Sequence, residues 1–196
     1  MGIKIPNYDP SAFSLWRELL EWVESITFAG VVAFFLFTFV VRLVTVEGHS
    51  MEPTLVEHDR LVIQTLNYEP EVGDIVVIKL PDMNALIKRV IAVGGQTVDI
   101  DFDNGIVYRD GIELDEPYIM EPTYRSKDMV FPAEVPEGCV FVMGDNRNHS
   151  SDSRDMTVGM VPVERVIGKA VFRFMPLETV GGLYDNLEQE ELEPAA

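Results

Sequence analysis

Cysteine and histidine are scarce in this chain. Among its 196 residues there is one cysteine, Cys139, and there are three histidines. A single cysteine excludes an intrachain disulfide and a cysteine-rich metal site. The three scattered histidines form no metal-binding pattern, so we expect no metal and no cofactor. Cys139 lies in an apolar segment that predicts a strand, where we expect it to serve as a small buried residue.

Basic residues are also few. The chain has 15 Lys and Arg against 33 Asp and Glu, which gives a formal net charge of -18. Nucleic-acid binding needs clustered positive charge, so we expect no nucleic-acid partner. The same balance disfavours tight electrostatic docking on anionic lipid head groups. There is no internal repeat, and the glycine pair at 94–95 lacks the spacing of a nucleotide-binding loop.

Charge is absent from one stretch near the N-terminus. Residues 26–41 read ITFAGVVAFFLFTFVV, and the apolar character continues to residue 43. As a helix, this run would span about 24 Å, slightly less than the ~30 Å of a hydrocarbon core. We predict a single transmembrane anchor over residues 26–43. A buried core helix is the alternative.

The segment before the run bears on whether it is cleaved. Within residues 1–25, apolar side chains recur at helical spacing, which predicts an amphipathic helix; they are Trp16, Leu19, Leu20 and Val23. A cleavable signal peptide would have a basic start and a small-residue cleavage site after the run. This chain has neither a basic start nor a small-residue cleavage site after the run, so an uncleaved anchor is favoured.

The chain after residue 43 has the texture of a β domain. Short apolar segments alternate with Gly, Pro, Asn and Asp, and this pattern predicts a domain over residues 44–180. Asn104-Gly105 and Asp110-Gly111 stand between such segments and predict a small hairpin subdomain within 95–143. The end of the chain, 181–196, is acidic, and we predict a disordered tail there. The predicted strands are Leu61–Ile63, Asp74–Ile78, Ala85–Val93, Thr97–Phe102, Ile106–Tyr108, Ile112–Leu114, Val140–Met143 and Val166–Met175.

Ser50 is a candidate nucleophile in the segment 48–55, GHSMEPTL. Most serines in such turns are only turn residues. A serine hydroxyl becomes a useful nucleophile when a neighbouring base takes its proton. The histidines are one source of a base: His49 adjoins Ser50, and the fold could bring in His58 or His149. Lys88 is the other source.

Lys88 lies on a predicted strand, where alternation puts it on the same face as Leu86 and Val90. A lysine is a base only when neutral, and its reference pKa is about 10.4. Burial can lower that pKa by as much as ~3–5 units. An exposed strand face with a surface lysine is the alternative. The residues alone do not decide whether a histidine or Lys88 is the base.

The loop at residues 144–154, GDNRNHSSDSR, contains eleven residues without one aliphatic side chain. Its side chains can bond to each other and to the backbone, which predicts an internally bonded loop. A solvated loop is the alternative.

Four segments together resemble the motifs of bacterial type I signal peptidases. They are 48–55, 73–77 (GDIVV), 87–92 (IKRVIA) and 144–154 followed by Gly159, in the family's order. The likeness covers roughly residues 30–175 and includes the preceding anchor. It implies a mostly antiparallel β catalytic domain with an N-terminal transmembrane helix. The implied activity is that of a membrane-anchored serine endopeptidase that cuts signal peptides after an Ala-x-Ala-like site.

The resemblance also assigns roles to residues. Ser50 would form the acyl-enzyme, with its backbone N–H as an oxyanion donor, and Lys88 would act as general base and then acid. Ser150 would orient the lysine amine. Gly48 stands where some members have a serine as second oxyanion donor, and Gly48 and Leu86 would bind substrate. Structural support of the site would come from Asp145, Arg147, Asp152 and Arg154, with Asp152 and Arg154 paired.

The implied setting is the cell membrane, crossed once, with the catalytic domain on the outer side. The implied partners are signal-peptide-bearing preproteins, the lipid bilayer and, by proximity, the secretion translocon. A substrate would add as an extended strand near Leu86 and Ser50. Three alternatives compete: a self-cleaving repressor-type protease, which lacks its DNA-binding segment here; a Ser-His hydrolase; and an anchored β domain that binds exported chains without cutting them.

Overall fold

The computed structural model describes residues 10–39, 41–81 and 84–184, with side chains of the helix and first strand described from 16 to 34 and from 42 onward. The chain divides into two compact units, Met1–Val40 and Val41–Ala196. The two units are described separately below.

The first unit contains one helix, α1, at Pro10–Phe39. The predicted amphipathic helix and the helical part of the predicted anchor are therefore continuous. Large apolar side chains on the described part of α1 are exposed, among them Trp16, Trp22 and Phe28. Among the described residues, no helix is at once long enough and apolar enough to cross a membrane. Part of the predicted anchor, the side chains of 35–41 and all of residue 40, lies outside the described residues.

The end of the predicted anchor adopts a different structure. Residues 41–43 form part of a strand whose partner is the strand at Arg60–Gln64. Backbone pairing of Val41 with Gln64 and of Leu43 with Val62 overrides the apolar character that suggested a continued helix.

The second unit is built from antiparallel strands. In every recorded pairing the two strands run in opposite directions. Within the part of this unit that the structure describes, three short 3-10 helices connect strands, at Arg147–His149, Val163–Arg165 and Leu177–Thr179. The strands are β1 (Val41–Thr45), β2 (Arg60–Gln64), β3 (Ile75–Ile78), β4 (Leu86–Val93), β5 (Thr97–Asp101), β6 (Ile106–Arg109), β7 (Ile112–Glu113), β8 (Ala133–Glu134), β9 (Cys139–Met143), β10 (Val161–Pro162), β11 (Val166–Met175) and β12 (Gly181–Gly182).

The larger sheet has the order β1-β2-β11-β3-β4-β9-β10, and β12 pairs with β11. Three strands separate β1 from β4 in this order. The residues that follow β1 and those that begin β4 nevertheless line one cleft, described below. The sheet therefore curls, and the gap between β1 and β4 stays open along one side.

The smaller sheet has the order β7-β6-β5-β8. Its two hairpins turn where the sequence predicts them. Asp110 and Gly111 have φ values of 53° and 78°, as a two-residue hairpin turn with two left-handed positions requires. Gly105 has φ 76°, and a Cβ there would lie 2.5 Å from Pro122 Cβ, so only glycine fits.

One apolar cluster holds the candidate nucleophile turn to the larger sheet. Met51 and Leu55, from the turn, are buried with Ile63 of β2, Val77 of β3 and Ile87 of β4. These two buried side chains, both of which follow Ser50 in the chain, anchor the turn to the larger sheet. At about 25 cal/mol per Å² of buried apolar surface, two such side chains stabilise the turn by several kcal/mol.

The C-terminal segment differs in part from the predicted disordered tail. Residues 181–182 form β12, and Tyr184 packs against the cluster that holds Met51 and Leu55. The Tyr184 hydroxyl accepts the Ile75 N–H at 2.8 Å and donates to Ala170 O at 3.0 Å. A partly buried aromatic ring with two hydrogen bonds outweighs the entropy of the free chain. Residues 185–196 of the predicted tail lie outside the described residues.

Candidate active site

Ser50 lies in a tight turn that follows β1. Gly48 has φ 80°, a conformation that glycine adopts without strain, and lets the chain reverse direction. Two backbone bonds close the turn: Glu52 N–H to His49 O at 3.3 Å and Leu55 N–H to Met51 O at 2.9 Å. With Met51 buried on one side, the Ser50 side chain faces the other way and remains half-buried.

Lys88 lies in β4, and the fold brings it to Ser50. Its side chain is 2% exposed. The Lys88 Nζ donates to Ser50 Oγ at 2.6 Å and to Ile87 O at 2.9 Å. When the amine of Lys88 is neutral, it has two N–H bonds and one lone pair. With one N–H bonded to Ile87 O, the lone pair is free to accept a hydrogen bond from the Ser50 hydroxyl.

Burial makes the neutral amine accessible near neutral pH. It lowers the pKa of Lys88 to about 8. The carboxylates of Asp152 and Asp145 act against this decrease, and the ammonium of Lys127 adds to it. Lys127 is fixed nearby, because its Nζ donates to Ser150 O. At physiological pH a usable fraction of Lys88 is therefore the free base.

The loop at 144–154 packs directly against Ser50. A Cβ on Gly144 would collide with Ser50 O and Ser150 Oγ, so this position requires glycine. Asn146 donates its backbone N–H to Ser50 O at 3.1 Å and its side-chain N–H to His49 O at 3.0 Å. Two neighbouring carbonyls of the nucleophile turn are therefore bound by one residue.

Ser150 is buried in the same loop, 4% exposed. Its Oγ makes no hydrogen bond of normal geometry to a described residue, although it lies close enough to the Asp152 carboxylate to help lower the pKa of that group. The hydrogen bond to Lys88 that the resemblance implies is therefore not formed in this structure. A Cβ on Gly144 would overlap both Ser150 Oγ and Ser50 O, so Ser150 packs against the backbone of Gly144 beside the nucleophile turn.

Three buried arginine–carboxylate pairs hold this loop. Arg154 pairs with Asp152, the pairing that the resemblance implies, through bonds of 2.9 and 2.8 Å. Asp145 and Arg147 bond to partners outside the loop. The Arg89 guanidinium binds both oxygens of Asp145, at 2.9 and 2.6 Å, and Arg147 binds both oxygens of Glu116, at 2.7 and 2.6 Å. Such two-bond contacts fix direction as well as distance.

The pair within the loop also sets a charge state. Burial by itself would raise the pKa of Asp152, but the Arg154 guanidinium outweighs it and holds that pKa below its usual range. Asp152 is therefore an anion wherever the protein is folded near neutral pH. Sequence reasoning missed Glu116 and the Arg89–Asp145 pair, because the paired residues are 31 and 56 positions apart and leave no local signal.

None of the histidines is placed to activate Ser50. The His49 Nδ1 lies 2.8 Å from Glu52 Oε1 and its Nε2 lies 3.8 Å from Glu57 Oε2. His58 and His149 are exposed. All three histidines are among the described residues, and the hydroxyl of Ser50 is bonded to Lys88 rather than to any of them.

The segment that holds the serine, the buried lysine and the bonded loop matches a known family. The family model described as signal peptidase, peptidase S26, matches residues 19–175. The chain belongs to the signal peptidase family. The match includes the serine turn, the lysine strand and the 144–154 loop.

Individual members of the signal peptidase family are similar over most of their length. A probable signal peptidase I-1 of Synechocystis sp. is 43% identical over 182 residues, 87% of this chain and 89% of the relative. A signal peptidase IB of Staphylococcus aureus is 34% identical over 82% of this chain and 91% of its own. A crystal structure of a signal peptidase I from Enterococcus faecalis covers 52% of this chain and 97% of its own, at 29% identity and a TM-score of 0.45.

In this member of the signal peptidase family, a cleft of about 290 Å³ opens beside Ser50 and Lys88. One wall is formed by residues 44–47, which follow or end β1, and the other by residues 84–88, at the start of β4. Leu86 lines the cleft and is half-buried. Gly48 lies next to it, with its N–H directed to Glu57 Oε1 at 3.4 Å. The sequence-predicted substrate contacts are thus close to the candidate nucleophile.

Proposed function

We propose that this chain is a membrane-anchored serine endopeptidase that removes N-terminal signal peptides from exported preproteins, with Ser50 as nucleophile and Lys88 as general base. Membership of the signal peptidase family supports the substrate class. The observation that carries the chemistry is the 2.6 Å contact between Lys88 Nζ and Ser50 Oγ in a buried setting. A lysine held there and shifted toward the neutral amine can accept the serine proton.

The first step is acylation. Ser50 Oγ bonds to the scissile carbonyl carbon while its proton passes to the Lys88 amine, and the carbonyl π electrons move to oxygen. When the tetrahedral intermediate collapses, the C–N bond breaks and the Lys88 ammonium returns the proton to the leaving amine. The mature protein leaves with a free N-terminus, and the signal peptide remains as an ester on Ser50.

The second step is deacylation by water. Neutral Lys88 takes a proton from the water, whose oxygen attacks the ester, and the ammonium then reprotonates Ser50 Oγ. In both steps the negative oxygen needs a donor. The Ser50 N–H has no acceptor among the described residues, and this free donor supports the role of oxyanion donor.

The cleft suits an extended substrate. A peptide strand inserted between 44–47 and 84–88 would bond to backbone on both sides and close the gap between β1 and β4. Side chains of an extended peptide alternate in direction, so two positions separated by one residue face the enzyme. The Ala-x-Ala preference for small residues at these two positions is carried over from the resemblance to signal peptidases.

The membrane setting is part of the proposal. The uncharged run from residue 26 supports an anchor, and α1 supplies the helix over most of it. We place the second unit on the outer side of the cell membrane, where signal peptides emerge near the secretion translocon. The partners are then preproteins and the lipid bilayer.

Cleavage of a preprotein with an Ala-x-Ala site, measured in detergent, tests the chemistry. Wild type should cut at the site, whereas Ser50→Ala and Lys88→Ala should lose at least about 10³-fold in kcat/KM. Exposed residues of the same type provide matched controls: Ser151→Ala and Lys79→Ala should stay close to wild type.

The competing functions predict other results. If His149→Ala is inactive while Lys88→Ala still cuts, a Ser-His hydrolase replaces the proposed mechanism. If wild type binds the preprotein but yields no product, the anchored binding domain is the better interpretation. Product from Ser50→Ala at the wild-type rate would remove Ser50 as nucleophile.

A further inference from the structure

One residue of the 144–154 loop contacts the backbone on both sides of Ser50. Asn146 donates its side-chain N–H to His49 O at 3.0 Å and its backbone N–H to Ser50 O at 3.1 Å. These carbonyls are consecutive, and Ser50 lies between them. Asn146 is itself only 4% exposed, so water does not compete for either bond.

The contact with His49 O fixes the direction of another group. The His49–Ser50 peptide is trans, so its C=O and N–H point in opposite directions. A donor that holds His49 O therefore also sets where the Ser50 N–H points. The Glu52 N–H reaches the same oxygen at a longer distance, 3.3 Å. The shorter bond, from Asn146, has the greater influence on the orientation of this peptide plane.

Asn146 is held in place by its neighbours in the chain. Asp145 is bound by Arg89 through two bonds, and Arg147 is bound to Glu116 through two bonds. All four side chains are nearly inaccessible to solvent. With both adjacent residues fixed, the backbone of Asn146 cannot move away from His49 without breaking a buried ion pair.

The other half of the Asn146 amide costs stability. Its Oδ1 is buried and has no partner among the described residues. A buried carbonyl oxygen without a donor lowers the stability of the folded state. Reversing the amide would put Oδ1 against His49 O, two acceptors in contact, so the nitrogen must face His49.

We infer that Asn146 is a positioning residue for the oxyanion donor: its side chain orients the His49–Ser50 peptide so that the Ser50 N–H faces the oxygen of the tetrahedral intermediate. This inference rests on the proposed function. Asn146 does not touch the substrate. It acts by orienting the His49–Ser50 peptide. This orientation changes the reaction rate when negative charge develops on the oxygen of the scissile carbonyl.

The test compares Asn146→Ala and Asn146→Ser with Asn148→Ala. Asn148 lies in the same loop, but its side chain bonds to Pro122 O and to the N–H groups of Tyr124 and Arg125, away from Ser50. In the Asn146 variants the backbone bond to Ser50 O remains, and only the bond to His49 O is removed. The substrate is a peptide with an Ala-Ala-Ala site.

We expect kcat/KM of both Asn146 variants to fall by about 10- to 100-fold, with Asn148→Ala within about twofold of wild type. A peptide aldehyde that adds to Ser50 Oγ mimics the oxyanion, and its inhibition constant should rise by the same factor. A peptide with a methylene in place of the scissile carbonyl should bind all variants equally, which also shows that they are folded. The pH midpoint should not move, because the bonds of Lys88 are untouched.

Two results would overturn the inference. One is cleavage by Asn146→Ala and Asn146→Ser at the rate of Asn148→Ala. The other is a loss of methylene-peptide binding as large as the loss of kcat/KM, since a general structural defect weakens both. If the proposed function is wrong, wild type gives no Ser50-dependent product, which distinguishes this outcome from the two results above. The inference about Asn146 would then be wrong as well.

Discussion

At the scale of single residues, the site depends on placing a charged side chain where the charge is disfavoured. Lys88 is 2% exposed, and burial lowers its pKa to about 8 from an ordinary value of 10.5. Asp145 and Asp152 limit this effect, and both are themselves neutralised by arginines. The ion pairs of the loop therefore keep two carboxylates near the lysine without letting either one bind it.

The first prediction concerns the pH dependence of activity. Because the base must be neutral, kcat/KM should rise about tenfold per pH unit below the Lys88 pKa and level off above about 8. Steady-state kinetics with a peptide substrate from about pH 6 to about pH 10 measure this. A profile that is flat across this range would remove Lys88 as the base.

Stability provides an independent check of the same pKa. A lysine whose pKa is lowered by folding binds fewer protons in the folded than in the unfolded state between about 8 and 10.5. The free energy of unfolding should therefore rise with pH in that window relative to Lys88→Met. Below the window both states are protonated, and the difference between wild type and variant should be constant. Urea unfolding at several pH values measures it.

At the scale of elements, the 144–154 loop links the two sheets. It follows β9 of the larger sheet, and Arg147 reaches Glu116, which follows the last hairpin strand of the smaller sheet. Arg147 also donates to Thr123 at 3.0 Å. One buried guanidinium therefore ties residues 116 and 123 to the loop that contacts Ser50.

The second prediction follows from this buried pair. Glu116→Gln keeps the shape of the side chain but leaves the Arg147 charge unpaired, which should lower the free energy of unfolding by about 3–5 kcal/mol. Glu113→Gln, on an exposed position of β7, is the matched control and should change it by less than about 0.5 kcal/mol. Urea denaturation compares the two.

A double variant separates charge from packing. Glu116→Gln with Arg147→Met removes the unpaired charge and should recover much of the lost stability. If Glu116→Gln is as stable as Glu113→Gln, the Arg147–Glu116 pair does not hold the loop. Another interaction would then have to fix the position of Asn146.

At the scale of the whole molecule, the chain divides into a helical unit and a β unit. All the residues of the candidate site lie in the second unit, Val41–Ala196. Both sheets are complete within it, since β1 begins at Val41. On its described part, the helix of the first unit carries exposed Trp, Leu and Phe side chains, which the proposed anchor would place against lipid.

The third prediction concerns this division. A chain that begins at Val41 should cut a soluble Ala-Ala-Ala peptide with kcat/KM within about threefold of the full chain. Its cleavage of a preprotein embedded in vesicles should fall by at least about tenfold, because the anchor no longer concentrates the enzyme at the membrane.

Equal losses on the peptide and on the preprotein would contradict this division, since they would mean that α1 supports the catalytic unit itself. Equal activity of both chains on the vesicle-bound preprotein would mean that residues 1–40 do not concentrate the enzyme there. Full-length Ser50→Ala in the same vesicles provides the background.

Several features could be predicted from the sequence because their causes are local. The alternation of Val, Ile and Leu with polar residues locates most strands, and Asn104-Gly105 and Asp110-Gly111 locate the hairpins. The order of four motifs identifies the family, whereas the apolar neighbours of Lys88 leave a buried amine and an exposed strand face equally open. The short strands β8 and β10 have no such signal, since two residues carry no period.

Other features were decided only by the tertiary structure. Ser50 and Lys88 are 38 positions apart, and their contact depends on how far the sheet curls between β1 and β4. The partners of Asp145 and Arg147, and the contact of Asn146 with His49 O, join residues 31 to 97 positions apart. Local periodicity fixes which way a side chain points from its own strand. It does not fix which residue of a distant strand or loop lies opposite, because that depends on register and on the packing of the whole sheet.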